Sequence, residues 1–199
     1  MEIILASASP QRKELLKKIL KEFKIVSADI NENIAGKQSD AVKVAEKLAL
    51  LKAEVVADKY PEALIIGADT VVELDGILYG KPRDDEEAVR FLKKFRGTIQ
   101  RVITGIAVLC EKKNIRLVDS ETTLVKMRDD ISDEEIENYV KIGEGRDKAG
   151  SYAVQEKGDK FVEWIEGDYY NVVGLSSAKL RKMLKEAKER WDLGIDLSP

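Results

Sequence analysis

The sequence predicts a mixed α/β protein, and two observations support this. Along the 199 residues, segments in which apolar side chains recur at helical spacing alternate with short β-rich segments. Two hairpin signals, Asp75-Gly76 and the polar turn Glu111–Asn114, predict antiparallel neighbours and argue against an all-parallel sheet. The chain contains no internal repeat and no linker-like segment, so we expect a single domain over residues 1–199.

The first part of the chain reads as strand, loop and helix. Glu2–Ala6 predicts a short buried strand, and Ser7–Pro10 predicts a turn in which Ser9 can cap the following helix. Proline suits the first turn of that helix because its missing N–H has no partner there anyway. Ile25–Ala28 predicts a second strand, which ends in the acidic loop Asp29–Glu32.

A long helix and a hairpin come next. Ser39 or Asp40 can cap the helix, whose apolar residues fall on one face. Ala63–Ala68 predicts a strand that ends at Asp69-Thr70. The hairpin is predicted to comprise Val71–Leu74, Asp75-Gly76 and Ile77–Tyr79.

The remaining helices are predicted from their end signals. The acidic run Asp84–Glu87 opens a helix that Gly97 stops, and a capping box of Ser132 and Glu135 opens another that ends near Gly143. A lysine-rich amphipathic helix follows Ser176. The strands predicted in this part are Ile99–Cys110, Ile115–Met127, Ser151–Gln155, Phe161–Ile165 and Val172–Val173.

Composition excludes several kinds of chemistry. The chain has no histidine and one cysteine, Cys110, which excludes histidine-based triads, imidazole metal ligands, cysteine zinc cages and internal disulfides. Acid–base work must therefore fall to carboxylates, lysines, tyrosines or a metal-bound water.

Net charge and the lengths of the apolar runs predict the compartment of the protein and exclude some kinds of partner. The net charge is −3, which argues against nucleic-acid binding as the main activity. Apolar runs fall far short of the roughly 20 residues that span a bilayer, and the first residues lack signal-peptide features. We expect a reduced, cytoplasmic protein with no membrane segment.

Two segments could hold reacting groups. The loop from Ser7 to Arg12 leads into a helix start, which can bind an anion; its other interpretation is an ordinary strand–helix turn. Asp69 ends a predicted hydrophobic strand, which places a carboxylate at a sheet edge, where it could hold a divalent cation or deprotonate a water. The alternative is a turn-forming aspartate that bonds its own backbone.

Four further side chains are harder to assign from their own positions. Lys81 lies in the rigid loop Gly80-Lys81-Pro82, whereas Lys52 lies on a lysine-rich helix, where a solvated face is expected. Gln155 carries a donor and an acceptor and could read a base edge, or be an exposed polar residue at a strand end. Tyr152 fits a half-buried strand aromatic better than a stacking platform.

In their order along the chain, six motifs resemble the Maf family. The resemblance extends from Ile4 to about Leu184. The motifs are Ile4–Arg12 (ILASASPQR), Gly67–Val72 (GADTVV), Gly80-Lys81-Pro82, Val102–Gly105 (VITG), Asp147–Tyr152 (DKAGSY) and Val172–Leu175 (VVGL).

The resemblance implies a fold and an activity. The implied fold is that of the inosine triphosphate pyrophosphatases, an elongated mixed sheet with flanking helices and two lobes about a deep cleft. The implied activity is hydrolysis of nucleoside triphosphates to monophosphate and pyrophosphate with Mg²⁺ or Mn²⁺. The Asp147–Gln155 stretch is similar to the branch of the family that acts on dTTP and UTP, and a homodimer is implied as well.

The resemblance also implies residue roles. Asp69 matches the family's proton acceptor, and Gln11, Thr70 and Gln155 match its specificity positions. The chemistry of a triphosphate and its cation assigns the other roles: Ser7, Arg12, Lys52 and Lys81 are expected to bind phosphate, and Asp69 with Glu32 is expected to hold the metal.

One departure from the family pattern affects base preference. The family usually has Ser-Pro-Arg-Arg where this chain has Ser9-Pro10-Gln11-Arg12. The second arginine is kept, so we expect phosphate binding to survive, while Gln11 could extend the substrates to CTP. Gln100-Arg101 stands where the family commonly has a histidine, which explains the missing histidine without changing the carboxylate chemistry.

Two other functions compete with this interpretation. One is a regulatory protein of septum formation that binds nucleic acid or a partner without turnover, supported only by the basic helix Lys179–Lys188. The other is a pyrophosphatase for modified purine nucleotides, which rests on analogy of fold alone.

Overall fold

A computed structural model describes residues 1–30, 40–155 and 157–197. Its strands are β1 (Ile3–Leu5), β2 (Lys24–Ile25), β3 (Leu64–Leu74), β4 (Ile77–Tyr79), β5 (Ile99–Cys110), β6 (Ile115–Met127) and β7 (Val162–Glu166). Its α-helices are α1 (Pro10–Lys17), α2 (Ala41–Ala57), α3 (Asp85–Phe95), α4 (Asp133–Ile142), α5 (Tyr169–Val173) and α6 (Ser177–Trp191), and short 3₁₀ turns span Ala149–Ser151 and Lys157–Phe161.

The strands form one mixed sheet, in the order β2-β1-β3-β5-β6-β7, with β4 also paired to β3. Strand β1 runs parallel to β2 and β3, whereas the pairs from β3 through β7 are antiparallel. The predicted mixed α/β architecture with flanking helices is thereby confirmed.

One edge of β3 is only partly covered. Strand β1 pairs with residues 64–66 of β3, and β4 pairs with residues 72–74 on the same edge. Between them, residues 67–71 have no strand partner on that edge within the described ranges, while β5 pairs with them on the other side. The chain therefore leaves a gap in the sheet, bounded by the end of β1 and by the β4 hairpin.

Helix α2 lies directly on one face of the sheet because two glycines let it approach. A Cβ atom added at Gly67 would lie 2.2 Å from the carbonyl oxygen of Ala49, and one at Gly105 would lie 2.3 Å from that of Ala45. Both distances are shorter than any real contact, so only glycine permits this packing. The helix consequently crosses the sheet beside the gap.

The opposite face carries two apolar cores, with a polar pair between them. Helices α1 and α6 cover the first, which includes Ala68 and Ile106; α3 and α4 cover the second, which includes Val72 and Val102. Between these pairs, the hydroxyls of Thr70 and Thr104 face each other at 2.9 Å.

Most local predictions are confirmed. The N-caps are Ser9, Asp40, Asp84, Ser132 and Ser176, with the full capping box at Ser132. The hairpin turn at Asp75-Gly76 has φ of 54° and 78°, the positive values that a tight turn of this kind requires. Among the described helices, none has the length and apolar character needed to cross a membrane.

Four strand predictions are wrong in extent or type. Strand β3 does not end at Asp69 but continues to Leu74, because β5 pairs with it throughout. The second strand covers only Lys24–Ile25. Ser151 ends a 3₁₀ turn and residues 152–155 form an irregular loop, while Val172–Val173 end helix α5, whose start is capped by Asp168.

Substituting Gly67 tests the close approach of α2. Gly67→Ala should reduce the free energy of unfolding by about 1–3 kcal/mol, since the new methyl group would overlap the α2 backbone. Urea denaturation measures this. Gly194→Ala is the control, because an added Cβ there meets nothing within 4 Å; equal effects of the two substitutions would contradict the packing described.

Candidate functional site

A pocket of about 490 Å³ opens at the gap in β3. The β1–α1 loop, the Gly80-Lys81 loop and the loop 147–152 surround it, together with Asp69, Thr70 and the end of α5. This volume falls within the usual range for a small-molecule site. The missing strand partner therefore provides the space for a ligand and brings the edge of β3 into contact with it.

The β1–α1 loop is folded around Ser7. Its buried hydroxyl accepts hydrogen bonds from the Ser9 amide at 3.2 Å and from Nη1 of Arg12 at 3.3 Å. Ser9 in turn caps α1 by accepting from the Arg12 amide. The loop thus places a helix N-terminus and a guanidinium at the pocket wall, an arrangement that favours an anion. Gln11 also lines the pocket, and its Oε1 accepts from the Ser9 hydroxyl at 3.2 Å.

Arg12 is held by a directed chain of hydrogen bonds. Its Nη2 donates to the Thr70 hydroxyl at 3.0 Å, and its Nε donates to the Gly174 carbonyl at 2.9 Å. The buried Thr104 hydroxyl donates to the Asn171 carbonyl at 3.0 Å. Because a hydroxyl has one proton, Thr104 accepts from Thr70, which leaves the oxygen of Thr70 to accept from Arg12.

Asn171 anchors the far end of that chain. Its Nδ2 donates to the Val102 carbonyl at 2.9 Å and to the Thr123 hydroxyl at 3.0 Å, so α5 is tied to both β5 and β6. The residue is fully buried. The orientation of Arg12 therefore depends on contacts that reach across three strands of the sheet.

A buried ion pair lies on the α2 side of the gap. Nζ of Lys52 is 2.5 Å from Oδ1 of Asp69, and each residue is only 5% exposed. The expectation of a solvated Lys52 is wrong: close packing of α2 on the sheet brings this lysine onto the open edge of β3. Asp69 lies within strand β3, so the alternative of a turn-forming aspartate is wrong. Its carboxylate reaches the pocket because a neighbouring strand is missing, with the two charges of the pair offsetting each other.

The other predicted site residues differ in where they lie. Lys81 is exposed at the pocket rim, in a loop held by a 3.0 Å bond from the Gly150 amide to the Gly80 carbonyl. Gln155 is exposed in a turn and does not line the pocket. Glu32 lies outside the described residues. The structure thus brings together Ser7, Gln11, Arg12, Lys52, Asp69, Thr70 and Lys81.

Sequence reasoning missed Thr104 and Asn171. Thr104 belongs to the Val102–Gly105 motif, but the motif assigned no role to its side chain. The importance of Thr104 comes from the register, which sets it directly opposite Thr70. Asn171 fell in a segment next to a wrongly predicted strand, so nothing marked its side chain as an anchor.

The fold and the site together define an α/β protein with a cation-lined pocket at a sheet edge. Residues 2–187 match the family model described as Maf-like protein. The chain belongs to the Maf-like family.

Similar proteins cover nearly the same length. The dTTP/UTP pyrophosphatase of Dictyoglomus thermophilum is 48% identical over 183 residues, which is 92% of this chain and 94% of that protein. The dTTP/UTP pyrophosphatase of Thermococcus gammatolerans is 44% identical over 191 residues, 94% of this chain and 100% of that protein. Among solved structures, the Ham1 protein of Staphylococcus aureus aligns over 94% of this chain and 100% of its own chain, with a TM-score of 0.54. At 16% sequence identity, this similarity shows a shared fold.

Removing the cation of the buried pair should destabilise the fold. Lys52→Met is expected to reduce the free energy of unfolding by about 3–5 kcal/mol, since the Asp69 carboxylate loses its ammonium partner in a buried place. Adding Asp69→Asn should recover most of the loss. Lys47→Met, on the exposed face of the same helix, should change stability by less than about 0.5 kcal/mol; a comparable loss there would contradict this assignment.

Removing the Thr104 hydroxyl should weaken anion binding by Arg12, which Thr104 contacts only through Thr70. In Thr104→Val, Thr70 loses its acceptor and Arg12 loses its fixed orientation, so the affinity for pyrophosphate should fall about three- to tenfold. Calorimetric titration measures this. Thr104→Ser keeps the hydroxyl and should bind like the wild type; an unchanged affinity in the valine variant would show that the chain does not hold Arg12.

Proposed function

We propose that the protein hydrolyses the pyrimidine nucleoside triphosphates dTTP and UTP to the nucleoside monophosphate and pyrophosphate. The observation that carries this proposal is a single pocket that combines a buried carboxylate, Asp69, with Arg12, Lys52 and Lys81. Relatives named dTTP/UTP pyrophosphatases, 43–48% identical over most of this chain, support the choice of reaction and substrate.

The triphosphate binds at the cationic side of the gap. Arg12 reaches it from the α1 start with the Ser7 loop beside it, and Lys81 approaches from the opposite rim. A guanidinium fits a phosphate with two parallel bonds, and an ammonium adds a mobile point charge. These groups offset the negative charge of the substrate and of the leaving pyrophosphate.

Asp69 accepts the proton of the attacking water. Its carboxylate is at the pocket wall and within 2.5 Å of the Lys52 ammonium, which orients one of its oxygens. Attack at the α-phosphorus then releases pyrophosphate on the side opposite the water. This route needs no histidine, which agrees with a chain that has none.

A divalent cation fits the donor chemistry of the pocket. Three aspartates line the pocket, Asp29, Asp69 and Asp147, and Asp147 is paired with Lys148. Their carboxylates offer oxygen ligands, and Mg²⁺ typically takes one or two carboxylates together with substrate phosphates. Within the described ranges, no group of three or more His, Cys, Asp or Glu side chains is placed to hold a metal ion. Bound in the pocket, Mg²⁺ or Mn²⁺ would polarise a phosphoryl oxygen and acidify a water. Glu32, outside the described residues, stays a proposed ligand.

Specificity is proposed to depend on Gln11 and Thr70, which line the pocket, and on Gln155, which lies in an exposed turn outside it. Thr70 contacts Arg12, so its influence on the substrate includes the placing of that guanidinium. Gln11 lines the pocket directly. Its neutral amide can accept as well as donate, so it discriminates less than arginine would against a base with a donor group, such as the amino group of the cytosine in CTP.

The nucleic-acid-binding alternative gains no support from α6. Within its basic segment Lys179–Lys188, Lys179 pairs with Asp119 at 3.1 Å and Lys185 lies 3.9 Å from Glu189, so acidic side chains accompany both cations. Cytoplasmic action and a homodimer remain part of the proposal; sedimentation of the purified protein tests the second.

Asp69→Asn tests the proton acceptor. Loss of a general base should lower kcat for pyrophosphate release by about 10²–10⁴-fold, with nucleotide binding retained. Because Lys52 then loses its anion, the assay should run well below the melting temperature of the variant. Glu73→Gln is the control, since Glu73 is a buried carboxylate on the same face of β3 but outside the pocket. Wild-type kcat in Asp69→Asn would exclude this role.

Gln11→Arg tests the departure from the family pattern. It should raise kcat/KM for dTTP and UTP relative to CTP by about ten- to a hundredfold, the equivalent of one charged hydrogen bond. Glu14→Gln changes the charge of α1 by the same amount outside the pocket and should leave the ratio unchanged. If Gln11→Arg also leaves it unchanged, Gln11 does not contact the base.

A further inference from the structure

The pocket contains a cation that the chemistry assigned so far does not use. Among the described residues that line it, the cationic side chains are those of Arg12, Lys52, Lys81 and Lys148. Arg12 and Lys81 are assigned to the phosphates, and Lys52 is paired with Asp69 in a buried place. Lys148 is left without a role beside a substrate that carries several negative charges.

The carboxylate of the preceding residue holds the ammonium of Lys148. Its Nζ lies 2.6 Å from Oδ1 of Asp147, which also lines the pocket. The side chain of Asp147 is 64% exposed and that of Lys148 is 20% exposed. An ion pair with one partner in water contributes little to stability, so its lysine can exchange one anion for another with a small change in free energy. The pair of Lys52 with Asp69 is buried and does not offer this exchange.

The backbone around Lys148 is fixed, so a movement of its ammonium can be confined to the side chain. The Lys148 amide donates to the Gly145 carbonyl at 3.1 Å, and the Lys148 carbonyl accepts from the Ser151 amide at 3.2 Å. The Gly150 amide donates to the Gly80 carbonyl at 3.0 Å, which joins this loop to the one after β4. The lysines of these two loops are therefore held on one rim of the pocket.

We propose that the Lys148 ammonium leaves Asp147 when the nucleotide binds and pairs, beside Lys81, with the pyrophosphate end of the triphosphate, which carries most of its negative charge. This inference rests on the proposed function and adds a phosphate-binding residue to it. A phosphate oxygen replaces the carboxylate as a charged acceptor, whereas a base carbonyl or a ribose hydroxyl is neutral and would leave the ammonium without an anion. Asp147 therefore competes with the substrate for the same cation.

This competition predicts effects of opposite sign for the two residues. Lys148→Met should weaken pyrophosphate binding about three- to tenfold, because the ligand loses a charged hydrogen bond while the pair with Asp147 no longer has to break. Asp147→Asn should strengthen it about two- to fivefold, because Lys148 then has no other anion to leave. A substitution that merely disturbed the loop would weaken binding in both variants.

The test is calorimetric binding of pyrophosphate and dTMP in a buffer with EDTA, since Asp147 also offers oxygen ligands to a divalent cation. Lys148→Met should bind dTMP like the wild type, because dTMP lacks the two outer phosphates. Lys157→Met is the matched control. Lys157 lies 3.9 Å from Glu144 and outside the pocket, so this variant loses the same charge and should keep the wild-type affinity for pyrophosphate.

A double variant separates the competition from simple repulsion. Asp147→Asn also removes a negative charge near the bound anion, and that part of the gain does not need Lys148. In the Lys148→Met background, Asp147→Asn should therefore strengthen pyrophosphate binding less than it does when Lys148 is present.

The proposal is overturned by unchanged pyrophosphate affinity in Lys148→Met, by an equal loss for dTMP, or by weaker binding in Asp147→Asn. A gain from Asp147→Asn that is as large without Lys148 as with it, or no binding of pyrophosphate to the wild type, overturns it as well. Pyrophosphate release from dTTP is measured separately. If the wild type hydrolyses no nucleotide but the affinities change as expected, the exchange at Lys148 stands and the proposed reaction fails.

Discussion

The open edge of β3 is the constraint on which the site depends. Strands β1 and β4 pair with the same edge but leave residues 67–71 between them without a strand partner there. Everything assigned to the site is placed by that gap: the loop after β1 enters from one side, the loop after β4 from the other, and Asp69 faces the space between. A longer β1 or β4 would complete the ladder and fill the pocket.

The two faces of β3 carry different groups of the site at this edge. Since side chains alternate along a strand, Asp69 points towards α2 and meets Lys52, whereas Thr70 points to the opposite face and meets Arg12 and Thr104. One dipeptide thus serves both the carboxylate and the cationic anchor. Close approach of α2, permitted by Gly67 and Gly105, is what buries the ion pair.

Features with a local cause could be predicted from the sequence. Helix caps, the Asp75-Gly76 turn and the long strands Ile99–Cys110 and Ile115–Met127 depend on residues close in the chain, and they were predicted with correct bounds or positions. Asp69 was singled out for a wrong structural reason, because the strand that should have ended there is continued by its pairing with β5. Val172–Val173 looked like a strand because β-branched residues were judged without the capped helix start at Asp168.

Features that depend on register or packing could not be predicted. The burial of Lys52 follows from the approach of α2 to the sheet, and the Arg12–Thr70–Thr104 chain follows from the alignment of β3 with β5. The family resemblance identified most of the pocket residues, but the physical reason for their proximity is the gap.

The most direct test of this account is a crystal structure with a non-hydrolysable dTTP analogue and Mg²⁺. The account predicts the triphosphate in the gap beside residues 67–71, with Arg12 and Lys81 on the phosphates and Asp69 near the α-phosphorus. A nucleotide bound outside the gap, or one whose α-phosphorus lies away from Asp69, would contradict it.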